Sequence, residues 1–385
     1  MRAVLNMLGF TSGGGLAVGL GVLAHLDRVA PNDQFLVLLP NVAAYHQVEM
    51  PVNAVKHVFD VSLAKHFKRL WIDHIAIPSL CRQFGADILF SMSNFGPYRA
   101  PCPHVVGIHL PYLAYPVWPI WGRLSPRDRL LLRVQSFYFS VAAAHVDCFC
   151  ALTRTSADRM AATCSLAPER IVVVPNADPP DSYFETPDVP RIRETITRHP
   201  ATLRLCYPAL GYPNKNHEVL PEAVRVLRDR FGIDDIAIFV TVEPTDSINA
   251  RRFLSTVRSL ELGQQIINLG RLEQSEVPTV FRYCHGLLMP TLLEVLSLSY
   301  LEAMRFGVPI LTSEYDFARE VCGDAALYFD PLDPSAIASA IVRLARQPAT
   351  AMTLRERAAR RTSQNSVSWD DVTSRYVAVL RDVCG

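Results

Sequence analysis

Short apolar runs alternate with stretches of helix length along this chain, and the alternation starts afresh near its midpoint; no other feature narrows the possible folds so far. The pattern predicts strands over residues 3–8, 34–39, 86–90 and 104–108, with a helix over 16–26 between the first two. A strand over 147–152 runs into a helix over 155–162, and a strand over 170–174 closes the series. Val-, Ile- and Leu-rich runs of this kind belong to parallel strands covered by helices on both faces. Residues 175–190 then carry five prolines and four acidic side chains, the composition of a linker. Beyond it, strands are predicted over 203–207, 236–242, 266–269, 286–289, 309–312 and 326–329, with helices over 217–231, 301–306 and 335–346 between them. A last helix over 368–383 places Trp369, Val372, Tyr376, Val379 and Leu380 on one side, and periodicity alone lets it dock on either half. Two doubly wound α/β domains facing across a cleft are therefore expected, with ligands collecting at the carboxyl ends of the strands.

Composition enters mainly through what it excludes. With 38 Lys and Arg against 37 Asp and Glu, the chain has no bulk drive toward nucleic acid, and no nucleic-acid partner is expected. Half the residues are hydrophobic and 19% charged, which excludes a disordered or collagen-like chain. The nine cysteines are scattered and form no C-x-x-C pair, so they are expected to be reduced thiols in a cytoplasmic protein. The apolar start after Arg2 is interrupted by Asn6 and by the Thr11–Gly15 cluster and lacks an A-x-A cleavage site, so it is read as a buried strand and helix rather than a signal.

Three constellations carry chemistry. Thr11-Ser12-Gly13-Gly14-Gly15 lies between the first strand and its helix, where glycines let backbone approach an anion; a plain tight turn is the alternative. It is neither a Walker loop nor a G-x-G-x-x-G fingerprint. Pro213-Asn214-Lys215-Asn216-His217 puts a lysine at a strand's carboxyl end, suited to a phosphate or simply solvated, with Asn216 as a candidate helix cap. The third runs from Pro290 to Pro309. On one continuous helix, Glu294 and Glu302 would point about 80° apart at roughly 100° per residue. Ser299 with Glu302 reads instead as a capping box that starts the helix at Ser299, leaving Glu294 in the preceding loop and the free amides near Leu298 facing a diphosphate. Glu302 is then either a ligand group or the capping partner.

Glu294 to Glu302, followed by Ala303-Met304-x-x-Gly307-Val308-Pro309, resembles the E-x7-E segment of the retaining glycosyltransferases of family 4, which have the GT-B fold. The likeness extends through Arg319-Glu320-Val321, the stretch from Gly323 to Pro331, Val172-Val173-Val174-Pro175-Asn176, the pair Lys215-Asn216 and Ser368-Trp369; it is specific in the C-terminal half and loose in the N-terminal half. It implies two Rossmann-like domains, 1–178 on the acceptor side and 179–367 binding the donor, with 368–385 able to return to the first. It also implies transfer of a hexosyl group from a nucleoside diphosphate sugar, linked to UDP, GDP or dTDP, to a hydroxyl of a saccharide or other acceptor, with retention. By this resemblance Glu294, His109 and Lys215 would be catalytic: Glu294 holding sugar hydroxyls, His109 near the donor sugar, Lys215 neutralising the diphosphate. Gly14, Gly15, Ser297, Leu298, Ser299 and Glu302 would bind the donor, Glu302 through its ribose. Three departures stand out: Val295 where the family commonly has a flexible glycine, Leu210 where a second diphosphate cation is usual, and Ala177 where the interdomain segment ends in glycine. Arg271 is one substitute for the missing cation.

No D-x-D run is present, so no metal and no cofactor are expected, cationic groups doing a metal's work on a front-face route. A sugar-nucleotide epimerase or hydrolase and a non-catalytic binding protein are the alternatives. Residues 61–140 hold nine Lys or Arg against three Asp, with Tyr112, Tyr115, Trp118, Trp121 and Arg123, Arg127, Arg129 and Arg133 crowded together. That is the pattern of a face in peripheral contact with an anionic inner-membrane surface, or of a solvated helix after a Pro-rich loop.

Overall fold

The computed structural model describes residues 1–11, 13–60, 65–115 and 119–385. The chain forms two compact units, one made of Met1–Pro116, Pro126–Ala177 and Val367–Gly385, the other of Val117–Ser125 and Asp178–Ser366.

The first unit is built on a seven-stranded parallel sheet: β1 (Arg2–Asn6), β2 (Gln34–Pro40), β3 (Ala54–Phe59), β4 (Ile88–Ser91), β5 (His104–Ile108), β6 (Cys148–Ala151) and β7 (Ile171–Val173). Its spatial order is β3-β2-β1-β4-β5-β6-β7, so the order reverses between β1 and β4. Alternate residues serve opposite faces: Ala3 and Leu5 enter one core cluster with Phe35, Phe90 and Val105, whereas Val4 enters another with Leu36, Leu89, Ile72 and Ile77. Both faces are thus covered, as the apolar runs require. The C-terminal helix Trp369–Cys384 belongs here, and its Val372, Tyr376, Val377 and Leu380 complete the first cluster. Ser368 and Asp371 close a capping box at its start.

The second unit carries β8 (Leu203–Tyr207), β9 (Ile236–Val240), β10 (Ile266–Asn268), β11 (Gly286–Met289), β12 (Ile310–Ser313) and β13 (Ala326–Phe329) in the order β10-β9-β8-β11-β12-β13, all parallel. Here the order reverses between β8 and β11, whose Leu287 lies opposite Cys206.

Two expectations change. The first helix runs Gly13–Leu23 rather than 16–26, because the glycines themselves form its first turn and Gly13, at φ +57°, opens it. The helix expected from 217 begins with a 3₁₀ turn, His217–Val219, before Leu220–Phe231. All nine cysteines are free thiols. Among the described residues no helix is long and apolar enough to cross a membrane.

Candidate active site

In open parallel sheets ligands sit beyond the carboxyl ends of the strands where the order reverses. In the second unit that point lies between the loops leaving β8 and β11, and these loops carry Lys215 and Glu294. Lys215 Nζ donates to Glu294 Oε1, with 17% and 11% of the two side chains exposed. The loops are tied to one another as well as to this pair. Asn214 Nδ2 donates to the Leu293 carbonyl at 2.9 Å, and the Asn214 carbonyl accepts from the Leu292 amide at 2.7 Å. Thr291 Oγ1 stands 3.1 Å from Glu294 Oε1 and 3.0 Å from the Asn214 carbonyl. From below, the hydroxyl of the fully buried Tyr207 donates to the Lys215 carbonyl at 2.8 Å. His217 stacks on Tyr207 at 4.5 Å, and burial, with the Lys215 charge adding to it, lowers its pKa to about 3, so it is neutral.

Asn216 precedes the 3₁₀ turn His217–Val219 at its N-cap position, but its side chain does not cap it. It takes a left-handed conformation, φ +58°, and its Nδ2 donates to the carbonyls of Pro290 and Pro331, at 3.0 and 2.8 Å. It pins the loops after β8, β11 and β13 together, with Oδ1 accepting from Arg123 at 2.6 Å. Arg123 also stands 3.7 Å from Glu218. Arg271 instead pairs with Asp246 at 2.6 Å. Val295 is buried and does not take positive φ, so this loop has no need of the flexible glycine.

The helix after Glu294 runs Leu298–Arg305, with Ser297 before it in an extended conformation and no side-chain cap. Ser299 is therefore inside the first turn, and the capping box expected of Ser299 and Glu302 does not form. The amides of Leu298 and Ser299 have no partner within the helix, whereas the Tyr300 amide bonds to the Ser297 carbonyl at 3.2 Å. Glu302 is 4% exposed. Its Oε1 accepts from the Tyr183 hydroxyl and from Gln274 Nε2, the latter at 3.3 Å. Burial lifts its pKa to about 7, against the pull of these two hydrogen bonds. Tyr183 sits in the short helix Asp181–Phe184, fixed by Phe184 against Phe306 at 4.8 Å and by Arg305 to Asp181 at 2.6 Å. No local pattern announces Tyr183 or Gln274: one lies in the proline-rich linker, the other opens the 3₁₀ turn Gln274–Glu276 far along the chain.

In the first unit Gly14 and Gly15 lie in the opening turn of the helix Gly13–Leu23, and Ser12 is outside the described residues. A side chain at Gly15 would meet the Phe10 ring at 3.0 Å. His109 follows β5, its ring edge-on to Phe10 at 5.2 Å, and the amides of His109 and Leu110 both donate to Asn94 Oδ1, at 2.6 and 2.7 Å. Asn94 takes φ +66° in the loop after β4, beside the reversal of the sheet. Burial draws the His109 pKa down to about 4, so the imidazole is neutral near pH 7. The glycine turn and His109 thus meet on Phe10 within this unit, and Lys215 and Glu294 meet in the other, four residues before the helix Leu298–Arg305 begins.

A family model described as glycosyl transferases group 1 matches residues 192–361, and one described as glycosyltransferase family 4 matches residues 30–180. The chain belongs to the family 4 glycosyltransferases. O-antigen chain mannosyltransferase B of Escherichia coli is 35% identical to it over 75 residues, a stretch that spans 20% of this glycosyltransferase and 20% of that relative. Among solved structures, sucrose-phosphate synthase from Thermosynechococcus elongatus matches with a TM-score of 0.73 at 15% identity, covering 100% of this chain and 99% of that one. The Anabaena protein HepE, solved with UDP and glucose, matches with a TM-score of 0.70 at 14% identity, covering 99% and 100%. At these identities the likeness carries the fold, GT-B, to this glycosyltransferase.

Proposed function

We propose that this glycosyltransferase moves a hexosyl group from a nucleoside diphosphate sugar to an acceptor hydroxyl with retention, residues 179–367 binding the donor and residues 1–178 serving the acceptor. The observation that carries the reading is the Lys215–Glu294 pair at the reversal of the second sheet, a few residues before a helix with unpaired first-turn amides and the buried Glu302. The family supports a glycosyl transfer, the Escherichia coli mannosyltransferase supports a saccharide acceptor, and the UDP and glucose in HepE support a nucleotide-sugar donor.

In this mechanism the bond from the anomeric carbon to the diphosphate oxygen breaks as the sugar becomes oxocarbenium-like. Lys215 and the amides of Leu298 and Ser299 receive the charge gathering on the diphosphate. Glu294 orients the sugar hydroxyls; its carboxylate, engaged by Lys215, is a poor covalent nucleophile, which favours departure and attack on one face. The acceptor oxygen then bonds to the anomeric carbon while its proton passes to the departing phosphate oxygen. Glu302 accepts from the donor ribose. Cations and amides do the work of a metal, so chelation by EDTA leaves the rate unchanged. A panel of UDP-, GDP- and dTDP-sugars, followed by nucleoside diphosphate release with and without saccharide acceptors, tests the reading. Release that depends on acceptor, with a product of unchanged anomeric configuration, is expected; acceptor-independent release would make the protein a hydrolase, and no turnover with any donor would leave a binding protein.

A further inference from the structure

The helix Pro126–Ala142 in the first unit buries only Phe139 and Ala142 of its 17 residues. Leu130, Val134, Phe137 and Val141 are 65%, 56%, 72% and 41% exposed. Their spacing of four, three and four puts all four within an arc of about 60°, an apolar stripe that faces away from the unit. The opposite side holds the helix in place, with Phe139 against Phe149 at 5.7 Å and against Phe95 at 6.4 Å. At roughly 100° per residue, Arg127 and Arg133 lie about 50° and 70° to either side of the centre of the stripe, and Asp128, the helix's one acidic residue, lies about 150° away. A second apolar group stands alongside. The Tyr138 ring meets that of His74 at 5.8 Å, and the helical segment around His74 exposes Leu70, Trp71 and Ile75 by 52%, 53% and 58%. Of the residues crowded together in the sequence, Tyr115 is buried under Arg159, whose guanidinium lies 4.4 Å from its ring centroid, Arg123 is bonded to Asn216, and Trp118 is outside the described residues.

We propose that this face seats the protein on an anionic lipid bilayer, the stripe and Trp71 entering the headgroup boundary while Arg127 and Arg133 meet lipid phosphates. An exposed apolar stripe edged by arginines, with a tryptophan beside it, has the chemistry of an interfacial helix. A second copy of the chain is the poorer occupant: a two-fold contact on this stripe would set arginines of one copy against those of the other, with the only carboxylate of the helix turned away. The glycosyl-transfer site is not part of this surface, so the proposal stands or falls independently of the reaction.

The test is co-sedimentation of the full chain with vesicles of phosphatidylglycerol and phosphatidylcholine, and with phosphatidylcholine alone. The wild type is expected to sediment with the anionic vesicles and to be released by high salt. The double variant Leu130→Gln, Phe137→Gln should partition on the order of tenfold or more less, since each residue contributes an apolar side chain to the boundary. Arg127→Gln should weaken the preference for anionic lipid while keeping the wild-type circular dichroism and melting temperature. Equal sedimentation of wild type and both variants, or a wild type that stays in the supernatant with anionic vesicles, would overturn the proposal. So would a dimer in gel filtration that the Leu130→Gln, Phe137→Gln variant dissolves, since that would give the face to a second copy.

Discussion

At the scale of single residues, the site of the second unit is a set of charges held at low exposure, and this decides what substitutions do. Lys215→Ala removes the cation and leaves Glu294 without its partner; Glu294→Ala does the converse. Each should lower kcat/KM on the order of 10² to 10³, the scale for one preorganised electrostatic contact; steady-state rates equal to wild type in both would remove them from the mechanism. Glu302 adds a dependence on pH. Its folded pKa of about 7 exceeds the ordinary 4.5, so between these values the folded protein keeps a proton that the unfolded chain releases. Stability from this group is therefore full below about pH 4.5 and falls as pH rises, by on the order of 3 kcal/mol by pH 7. The groups that face this carboxylate are the Tyr183 hydroxyl, Gln274 and the thiol of Cys206, and none is a cation. Urea unfolding across that range should show the loss in wild type and a flat profile in Glu302→Gln; parallel profiles would contradict it. Tyr183→Phe removes a bond to the ionised form and should move the midpoint higher still. Glu294 and Lys215 stand out in the sequence because each belongs to a short motif. Tyr183 does not, because its hydrogen bond joins residues 119 apart and nothing in the linker's proline-rich pattern marks it.

At the scale of elements, legibility follows burial. The central strands are runs of fully buried Val, Ile, Leu and Phe, and their positions can be read directly; β3 cannot, because it is an edge strand with Lys56 and His57 exposed and only its ends half-buried. The helix Pro348–Asn365 is silent for the same reason, burying only Leu354 and Ala358 along 18 residues. Where local signals compete, contacts distant in sequence settle the outcome: Ser299 and Glu302 have the spacing of a capping box, yet Tyr183 and Gln274 take the carboxylate and the helix starts earlier. The same competition predicts the effect of Gly21→Ala. Inside a helix this change ordinarily adds about 1 kcal/mol of stability. Here the new methyl would lie 2.4 Å from the Trp369 ring at the start of the C-terminal helix. Displacing a packed indole costs about 1 to 3 kcal/mol, so the variant should melt below wild type, and Trp369→Leu in the same chain should recover part of the loss. A melting temperature above wild type would mean that the two helices give way easily.

At the scale of the whole chain, two α/β units can be read from the alternation and the proline-rich break, but the ownership of two segments cannot. Residues Val117–Ser125 lie among elements of the first unit in sequence and belong to the second, where Arg123 bonds to Asn216. The C-terminal helix follows the second unit in sequence and belongs to the first. Its amphipathic pattern required a partner surface and did not specify which. That surface is formed by Leu5, Val22, Leu26, Phe35 and Phe90, with the rings of Phe90 and Tyr376 at 5.1 Å. At roughly 1.5 to 3 kcal/mol for each large apolar side chain fully buried, Val372, Tyr376, Val377 and Leu380 together contribute on the order of 10 kcal/mol. The ion pairs at the rim, Arg28 to Asp370 at 2.5 Å and Arg381 to Asp33 at 2.9 Å, involve largely exposed arginines and add little. Because a whole domain is stable by only about 5 to 15 kcal/mol, deleting 367–385 should unfold the first unit rather than merely loosen it. The truncated chain is expected to lose one thermal transition in calorimetry and to bind a hydrophobic dye, while the second unit, whose sheet lies within Asp178–Ser366, keeps its own transition. A truncated protein with the full unfolding enthalpy of wild type would show that β1 to β7 close their core without the returning helix.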